Sequence, residues 1–184
     1  EENTVDPETG LTLGEVLEQA QEQDLDLMEM EEGETASFIA TYASTTTDVS
    51  VTRGSCYYYS DYDLGSYLTY KYTVSFNNVT ATAYCIQPSK SSPGDGVFKI
   101  TRLGDGKKLA KVCYYGTKAS GVNGFFKTEH PDFSAGKQFV ITHLAVSYAS
   151  GSDDAFSGAN ATGQALAMEL YNYCMAQPEI PDVA

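Results

Sequence analysis

The stretch that decides the fold runs from Tyr67 to Cys85 and reads YLTYKYTVSFNNVTATAYC. β-Branched and aromatic residues alternate with polar residues in both halves, which is the pattern of half-buried strands. Asn77-Asn78 separates the two halves and favours a hairpin turn. The sequence therefore predicts two antiparallel strands, 67–75 and 79–86, with Cys85 at the end of the second.

The same criteria predict further elements on both sides of this hairpin. Strands are expected at 37–42, 49–52 and 97–101, the last after a loop rich in Pro, Ser and Gly. Beyond them the apolar residues change to helical spacing. We therefore predict an α+β domain, with a β-rich body of antiparallel strands and a helical subdomain inserted after, or packed onto, the strand that ends at Cys85. The predicted helices of this subdomain are Lys107 to Gly116, Phe139 to Ala149, and Asn160 to Ala176.

The N-terminal part of the chain has a different pattern. From Leu11 to about Glu32, apolar residues recur at roughly helical spacing and the intervening positions are strongly acidic. This pattern predicts an amphipathic helix with a solvated outer face. We accordingly expect residues 1–34 to be a helical segment packed on the domain and residues 35–184 to be the domain itself.

The charge balance excludes several classes of partner. Lys and Arg total 11 against 25 Asp and Glu, which gives a formal net charge of -14. Such a chain is poorly suited to binding nucleic acid or anionic lipid. No apolar run approaches the roughly 18 residues of a spanning helix, so no membrane insertion by this domain is expected.

Four cysteines and two histidines, without a CxxC or CxxH pair, do not predict a metal site, and we expect no cofactor. One disulfide among Cys56, Cys113 and Cys174 stays open at this stage.

Two segments carry the chemistry, 83–90 (AYCIQPSK) and 140–148 (VITHLAVSY). Together they resemble the two signature stretches of the thioester domain of Gram-positive surface adhesins and pilus tips, and the resemblance extends from about Gly65 to Pro178. In that family a Cys at a strand end and a Gln that follows a Thr at the second motif condense, with loss of ammonia, into an internal thioester.

The resemblance implies an extracellular adhesin domain on a bacterial cell surface, belonging to a larger cell-wall-anchored protein. Its partner would be a surface protein of a host or neighbouring cell, or another amine-bearing ligand. Cys85 would be the reactive centre, and Tyr84 and Thr142 would frame the site.

This sequence departs from the family pattern at the acyl partner, because His143 stands where the Gln is expected after Thr142. Three interpretations follow. Cys85 could bond to another glutamine, with Gln164 and Gln138 as the candidates. Cys85 and His143 could instead form a nucleophilic dyad for acyl transfer or hydrolysis. In the third interpretation, Cys85 is an ordinary buried thiol and the domain binds its ligand without a covalent bond.

Overall fold

The computed structural model describes residues 27–31, 36–39, 47–76, 79–103, 107–118 and 124–180. Within these ranges the chain forms one antiparallel sheet and a group of helices, so the predicted α+β class is confirmed. The strands are β1 (Leu27–Glu31), β2 (Ala36–Ile39), β3 (Thr47–Tyr58), β4 (Leu68–Phe76), β5 (Val79–Ala83) and β6 (Gly96–Leu103).

The predicted hairpin is the pair of strands β4 and β5. They are antiparallel, with Tyr72 opposite Ala83 and Val74 opposite Ala81. The prediction that two alternating runs would pair is therefore confirmed, although Asn77-Asn78 lies outside the described residues. Because β5 ends at Ala83, earlier than the predicted 86, Cys85 is the second residue after the strand.

The strand order in the sheet is β2-β1-β6-β3-β4-β5, and every neighbouring pair is antiparallel. The outermost strands, β2 and β5, also contact each other. The sheet therefore curls towards a barrel, as twisted sheets do when their edges approach.

The predicted N-terminal helix lies largely outside the described residues, and its last part is corrected by the structure. Leu27–Glu31 forms strand β1 rather than the end of a helix, pairing with β2 on one side and β6 on the other. Strand pairing satisfies the backbone of this segment on both sides, and such tertiary contacts override a local helical pattern. The division into residues 1–34 and 35–184 stays a prediction.

The predicted helical subdomain follows β6. Its helices are α1 (Lys107–Cys113), the π-helical turn (Tyr114–Lys118), α2 (Phe125–Thr128), α3 (Ala135–Ala149) and α4 (Ala161–Ala176). The helix predicted at Lys107–Gly116 ends earlier, at Cys113, and continues as the π-helical turn. Helix α2 had no counterpart in the sequence prediction.

Helix α3 is the centre of the subdomain. Ser134 caps its first turn by accepting a hydrogen bond from the backbone N–H of Lys137 at 3.3 Å. All residues from Phe139 to Ser147 are buried. A helix that is buried all round lies inside a core rather than on its surface. The second motif is therefore inside the protein, except for the exposed Tyr148 at its end.

Two hydrophobic cores meet at the end of β5. One is built mainly from the helices, and Tyr84 belongs to it. The other lies on the sheet and includes Val49, Tyr72 and Cys85. Successive side chains of an extended backbone point in opposite directions, so the adjacent residues Tyr84 and Cys85 enter different cores. Cys85 thus lies at the junction of the sheet and the helices.

A short 3₁₀ turn, Tyr59–Tyr62, connects β3 and β4 and packs against the start of α3, where Gly136 lies against the ring of Tyr62. The residues that follow the turn are bonded to the start of α4, because Leu64 accepts a hydrogen bond from the backbone N–H of Asn160 at 2.8 Å. Asn160 caps α4 and donates a hydrogen bond through its side chain to the carbonyl of Asp63 at 2.9 Å. Gly158 has a φ of 73°, and a Cβ atom there would lie 2.0 Å from the ring of Tyr67. This close approach requires glycine, and it holds the turn beside the helices.

Candidate functional site

Cys85 is enclosed at this junction, with 7% of its surface exposed. Its Sγ lies 3.5 Å from the backbone carbonyl oxygen of Gln87, to which the thiol donates a weak hydrogen bond. The next residue, Ile86, is tied to helix α3 because the hydroxyl of Ser147 donates to its carbonyl oxygen at 2.5 Å. The segment that carries Cys85 is therefore fixed against the helix of the second motif.

The environment of Cys85 keeps its thiol protonated. Burial raises its pKa most strongly, a hydrogen bond with the backbone of Gln87 opposes this, and the carboxylate of Asp154 raises the pKa further. Thiolate is the nucleophilic form of cysteine, and it is favoured by nearby positive charge rather than by a carboxylate. At rest, Cys85 is a latent thiol and not an activated one.

His143 is the most unusual polar residue of the site. Only 1% of its surface is exposed, and neither ring nitrogen has a hydrogen-bond partner among the described residues. Its ring lies beside the backbone carbonyl of Cys85, close enough to be influenced by it but without the geometry of a hydrogen bond. Buried polar atoms without partners are rare in native proteins and mark positions with a special role or strain.

Burial lowers the pKa of His143 to about 4, against smaller opposing effects of the Cys85 carbonyl and the Asp154 carboxylate. His143 is therefore a neutral imidazole at neutral pH. The His143 ring thus lies beside the backbone of Cys85 as a neutral imidazole, and the Cys85 thiol is protonated. A thiolate–imidazolium pair is not the resting form of this arrangement.

Tyr59 also belongs to the site, although the sequence analysis did not identify it. Its side chain is fully buried, its hydroxyl has no partner within the described residues, and its ring centroid lies 6.1 Å from that of His143. Burial raises the pKa of Tyr59, and the nearby Cys85 thiol raises it further. The run of tyrosines from Tyr57 to Tyr62 gave no signal that this one turns inward, because only the 3₁₀ turn directs it there.

Two further buried oxygens near the ends of these strands lack partners in the described part of the chain: Oγ1 of Thr69 and Oε1 of Gln87. Thr69 lies in β4, and Gln87 follows Cys85 by two residues. The junction is thus unusually rich in unpaired polar atoms for a protein interior.

Neither glutamine proposed as an acyl partner has its amide at Cys85. Gln138 donates through Nε2 to the carbonyl oxygen of Phe133 at 2.7 Å, at the start of helix α3. Gln164 is exposed and donates through Nε2 to the carbonyl oxygen of Ala159 at 3.3 Å, at the start of helix α4. Each amide thus donates a hydrogen bond to a backbone carbonyl oxygen at the beginning of its own helix. Both amides are therefore engaged at helix starts, whereas the His143 ring lies beside the backbone carbonyl of Cys85.

Tyr84 and Thr142 flank the site through packing and helix contacts. The ring of Tyr84 stacks on Phe139 with centroids 5.1 Å apart. The hydroxyl of Thr142 donates to the carbonyl oxygen of Gln138 at 2.8 Å, within helix α3. Both residues support the elements that carry Cys85 and His143.

Asp154 joins the loop after Cys85 to the loop between α3 and α4. Its carboxylate accepts hydrogen bonds from the backbone N–H of Ser89 at 2.9 Å and from the hydroxyls of Ser89 and Ser152. Burial pushes the pKa of Asp154 upwards, but the hydrogen bonds from Ser152 and Ser89 together hold it below its usual value. This ionised clasp fixes the loop that follows Cys85 against the loop between α3 and α4.

No group of three or more His, Cys, Asp or Glu side chains within the described ranges could hold a metal ion. The helices described in this structure are too short or too polar to cross a lipid bilayer.

Comparison with protein families matches residues 48–181 to the family described as Thioester domain. The match covers well over half of the chain, and it includes the sheet from β3 onwards, the strand end at Cys85 and the helices. This chain therefore belongs to the thioester domain family. The family suggests a surface adhesin-type role and is typically displayed outside the cell. No curated protein and no solved structure matches the chain.

Proposed function

We propose that this chain is the ligand-capturing domain of an adhesin on a bacterial cell surface, within a larger cell-wall-anchored protein. Its ligand is a surface protein of a host or neighbouring cell, or another amine-bearing molecule, and Cys85 is its reactive centre. The observation that carries the proposal is the position of Cys85 in a thioester-domain chain. It lies at a strand end, enclosed, and fixed against the helix of the second motif.

Enclosure suits a latent reactive centre. A thioester is useful for capture only if water is excluded until the partner arrives. Here the thiol is buried, and the Asp154 clasp holds the loop that follows it. A ligand that displaces this loop would expose Cys85 at the moment of binding.

Covalent capture of an amine requires that Cys85 first become acylated. The thiol would attack a glutamine amide, forming the thioester and releasing ammonia. A ligand amine would then attack the thioester carbonyl, forming an amide and restoring the thiol. Gln138 or Gln164 could serve as the acyl partner only by leaving its contact at the start of its helix.

The intact mass of the freshly purified protein tests this chemistry. A mass lower by one ammonia, regained with one added methylamine after incubation, is the result expected if Cys85 carries an internal thioester. The Cys85→Ala variant is the control and must show neither change. An unaltered mass that methylamine does not affect would rule out covalent capture by the wild-type chain.

His143→Gln is a matched variant, because it places an amide at the position where the family carries its glutamine. The imidazole already lies beside the backbone carbonyl of Cys85. We expect this variant to lose one ammonia and to react with methylamine, while His143→Gln combined with Cys85→Ala does neither. If the folded variant neither loses ammonia nor reacts with methylamine, Cys85 does not occupy the reactive position of the family.

A second candidate function is acyl transfer or hydrolysis by Cys85 with His143 as the base. It is favoured by one observation, namely that the neutral imidazole of His143 has no hydrogen-bond partner among the described residues, so its unprotonated ring nitrogen is free to accept a proton. A small activated ester, p-nitrophenyl acetate, provides the probe. Acetylation of Cys85 that His143→Ala slows at least tenfold would support this function, and equal rates in both proteins would exclude it.

A further inference from the structure

Helix α1 and the π-helical turn lie antiparallel against helix α4. Near the start of this contact, Nζ of Lys111 donates to the carbonyl oxygen of Gln177 at 2.9 Å. Further along, Gly116 lies against Leu170, whose Cδ1 would be 3.2 Å from a Cβ atom placed on the glycine. Later residues of α1 and the π-helical turn therefore contact earlier residues of α4, as in any antiparallel pair of helices.

This register places two cysteines opposite each other. Cys113 lies between Lys111 and Gly116 on one side, and Cys174 lies between Leu170 and Gln177 on the other. Both cysteines belong to the helical core, Cys174 as a fully buried member and Cys113 as a partly exposed one packed against it.

The electrostatic environment agrees with this placement. Burial raises the pKa of Cys113, and the neighbouring Cys174 raises it further. Burial also raises the pKa of Cys174 to about 12, although the Lys111 ammonium opposes the increase. The two sulfurs are thus close enough to influence each other.

The other two cysteines lie elsewhere. Cys85 belongs to the core on the sheet, and Cys56 lies in β3 opposite Tyr70 of β4. All four cysteines are thiols in this structure.

We propose that Cys113 and Cys174 form a disulfide that fastens helix α1 to helix α4 when the protein meets a disulfide oxidant. This bond is independent of the chemistry proposed for Cys85. It would be consistent with an oxidising extracellular location, where disulfides persist.

The exchange proceeds in two balanced steps, written here for oxidised glutathione. The thiolate of Cys113, the more exposed of the two, attacks one sulfur of the oxidant and releases one glutathione thiolate. The thiolate of Cys174 then attacks the sulfur of Cys113, forming the disulfide and releasing the second glutathione thiolate. The oxidant takes up the two electrons, and the protons lost by the two thiols are taken up by the released glutathiones.

The bond would constrain the unfolded chain strongly, because roughly 60 residues lie between the two cysteines. Closing a loop of that length stabilises a folded protein, provided that the native geometry is not strained. The disulfide would hold the C-terminal end of α4 where Tyr115 already donates to the carbonyl oxygen of Pro178 at 3.1 Å.

The test uses the full chain, refolded with a mixture of reduced and oxidised glutathione and then denatured and alkylated with N-ethylmaleimide. We expect Cys113 and Cys174 to escape alkylation, the oxidised protein to be lighter by two hydrogens than the same protein after reduction, and a linked peptide containing both cysteines. Adding reductant should lower the melting temperature by roughly 5–15 °C.

Two variants make the result specific. Cys113→Ser should leave Cys174 open to alkylation and should lose the effect of reductant on melting, whereas Cys56→Ser should keep the linked peptide. Alkylation of all four cysteines in the oxidised wild type, glutathione adducts alone, or a linked peptide that contains Cys56 or Cys85 would each overturn the proposal.

Discussion

Cys85 and Cys174 are both buried thiols with raised pKa values, but their surroundings differ in kind. Cys174 lies in a helical core of apolar residues such as Leu170 and Val112. Cys85 lies at a junction where the ring nitrogens of His143 and the hydroxyl of Tyr59 have no partner in the described chain. Burial and residue type alone therefore do not distinguish a structural cysteine from a candidate reactive one.

The difference has an energetic meaning. An apolar core gains free energy from each side chain it removes from water, whereas an unpaired buried polar atom costs about 1–3 kcal/mol. The helical core should therefore account for much of the stability of the domain, and the junction should detract from it. Sites that perform chemistry commonly carry such a cost.

The largest expected effect comes from the helical core. Leu170→Ala removes a fully buried side chain that packs against Gly116, and we expect the free energy of unfolding to fall by about 2–5 kcal/mol. Cys85→Ala, which deletes one sulfur at the junction, should cost about 1 kcal/mol. Urea denaturation monitored by circular dichroism measures both, and equal losses would remove the distinction between the two regions.

The next effect is the pH dependence that His143 imposes. Its pKa is 6.5 in an unfolded chain and about 4 in the folded protein, so between these values only the unfolded state binds the proton. The stability that is present above pH 6.5 is lost as the pH falls towards 4. We expect a loss of about 2 kcal/mol between pH 7.5 and pH 5 from this residue.

His143→Leu is the matched variant for this measurement, since leucine fills the site without a titrating group. Denaturation curves of both proteins at several pH values between 5 and 7.5 give the difference. The other histidine, His130, pairs with Glu169 at 3.2 Å in both proteins, so its contribution cancels. Parallel pH profiles would show that His143 is not buried as a neutral ring.

The smallest effect concerns the hydroxyl of Tyr59. Tyr59→Phe removes a buried oxygen without a partner, and we expect the protein to become more stable by about 0.5–1 kcal/mol. Tyr115→Phe is the control, because it removes a hydroxyl that donates to Pro178, and it should destabilise by about 0.5–1.5 kcal/mol. Changes of opposite sign in the free energy of unfolding of the two variants would support the difference between the junction and the helical core. A loss of stability in Tyr59→Phe would contradict it.

Much of the fold could be predicted because its signals are local. The alternation from Tyr67 to Cys85 predicts a hairpin, and the apolar spacing from Asn160 to Ala176 predicts a helix that the structure confirms. The N-terminal helix is the instructive error. Its last part, Leu27–Glu31, pairs with two strands, one of which lies about 70 residues away in the sequence. The local sequence pattern gives no information about so distant a partner.

Local patterns were enough to predict the α+β class, a strand that leads to Cys85, and His143 at the position where the family carries glutamine. Contacts between elements add that the His143 ring is neutral, lies beside the Cys85 backbone and has no partner among the described residues, that Tyr59 packs near this ring, and that Gln138 and Gln164 are engaged elsewhere. The physical reason is that periodicity reports which face of an element is buried. The partners and charge of a buried polar group depend on contacts between elements that are distant in the chain.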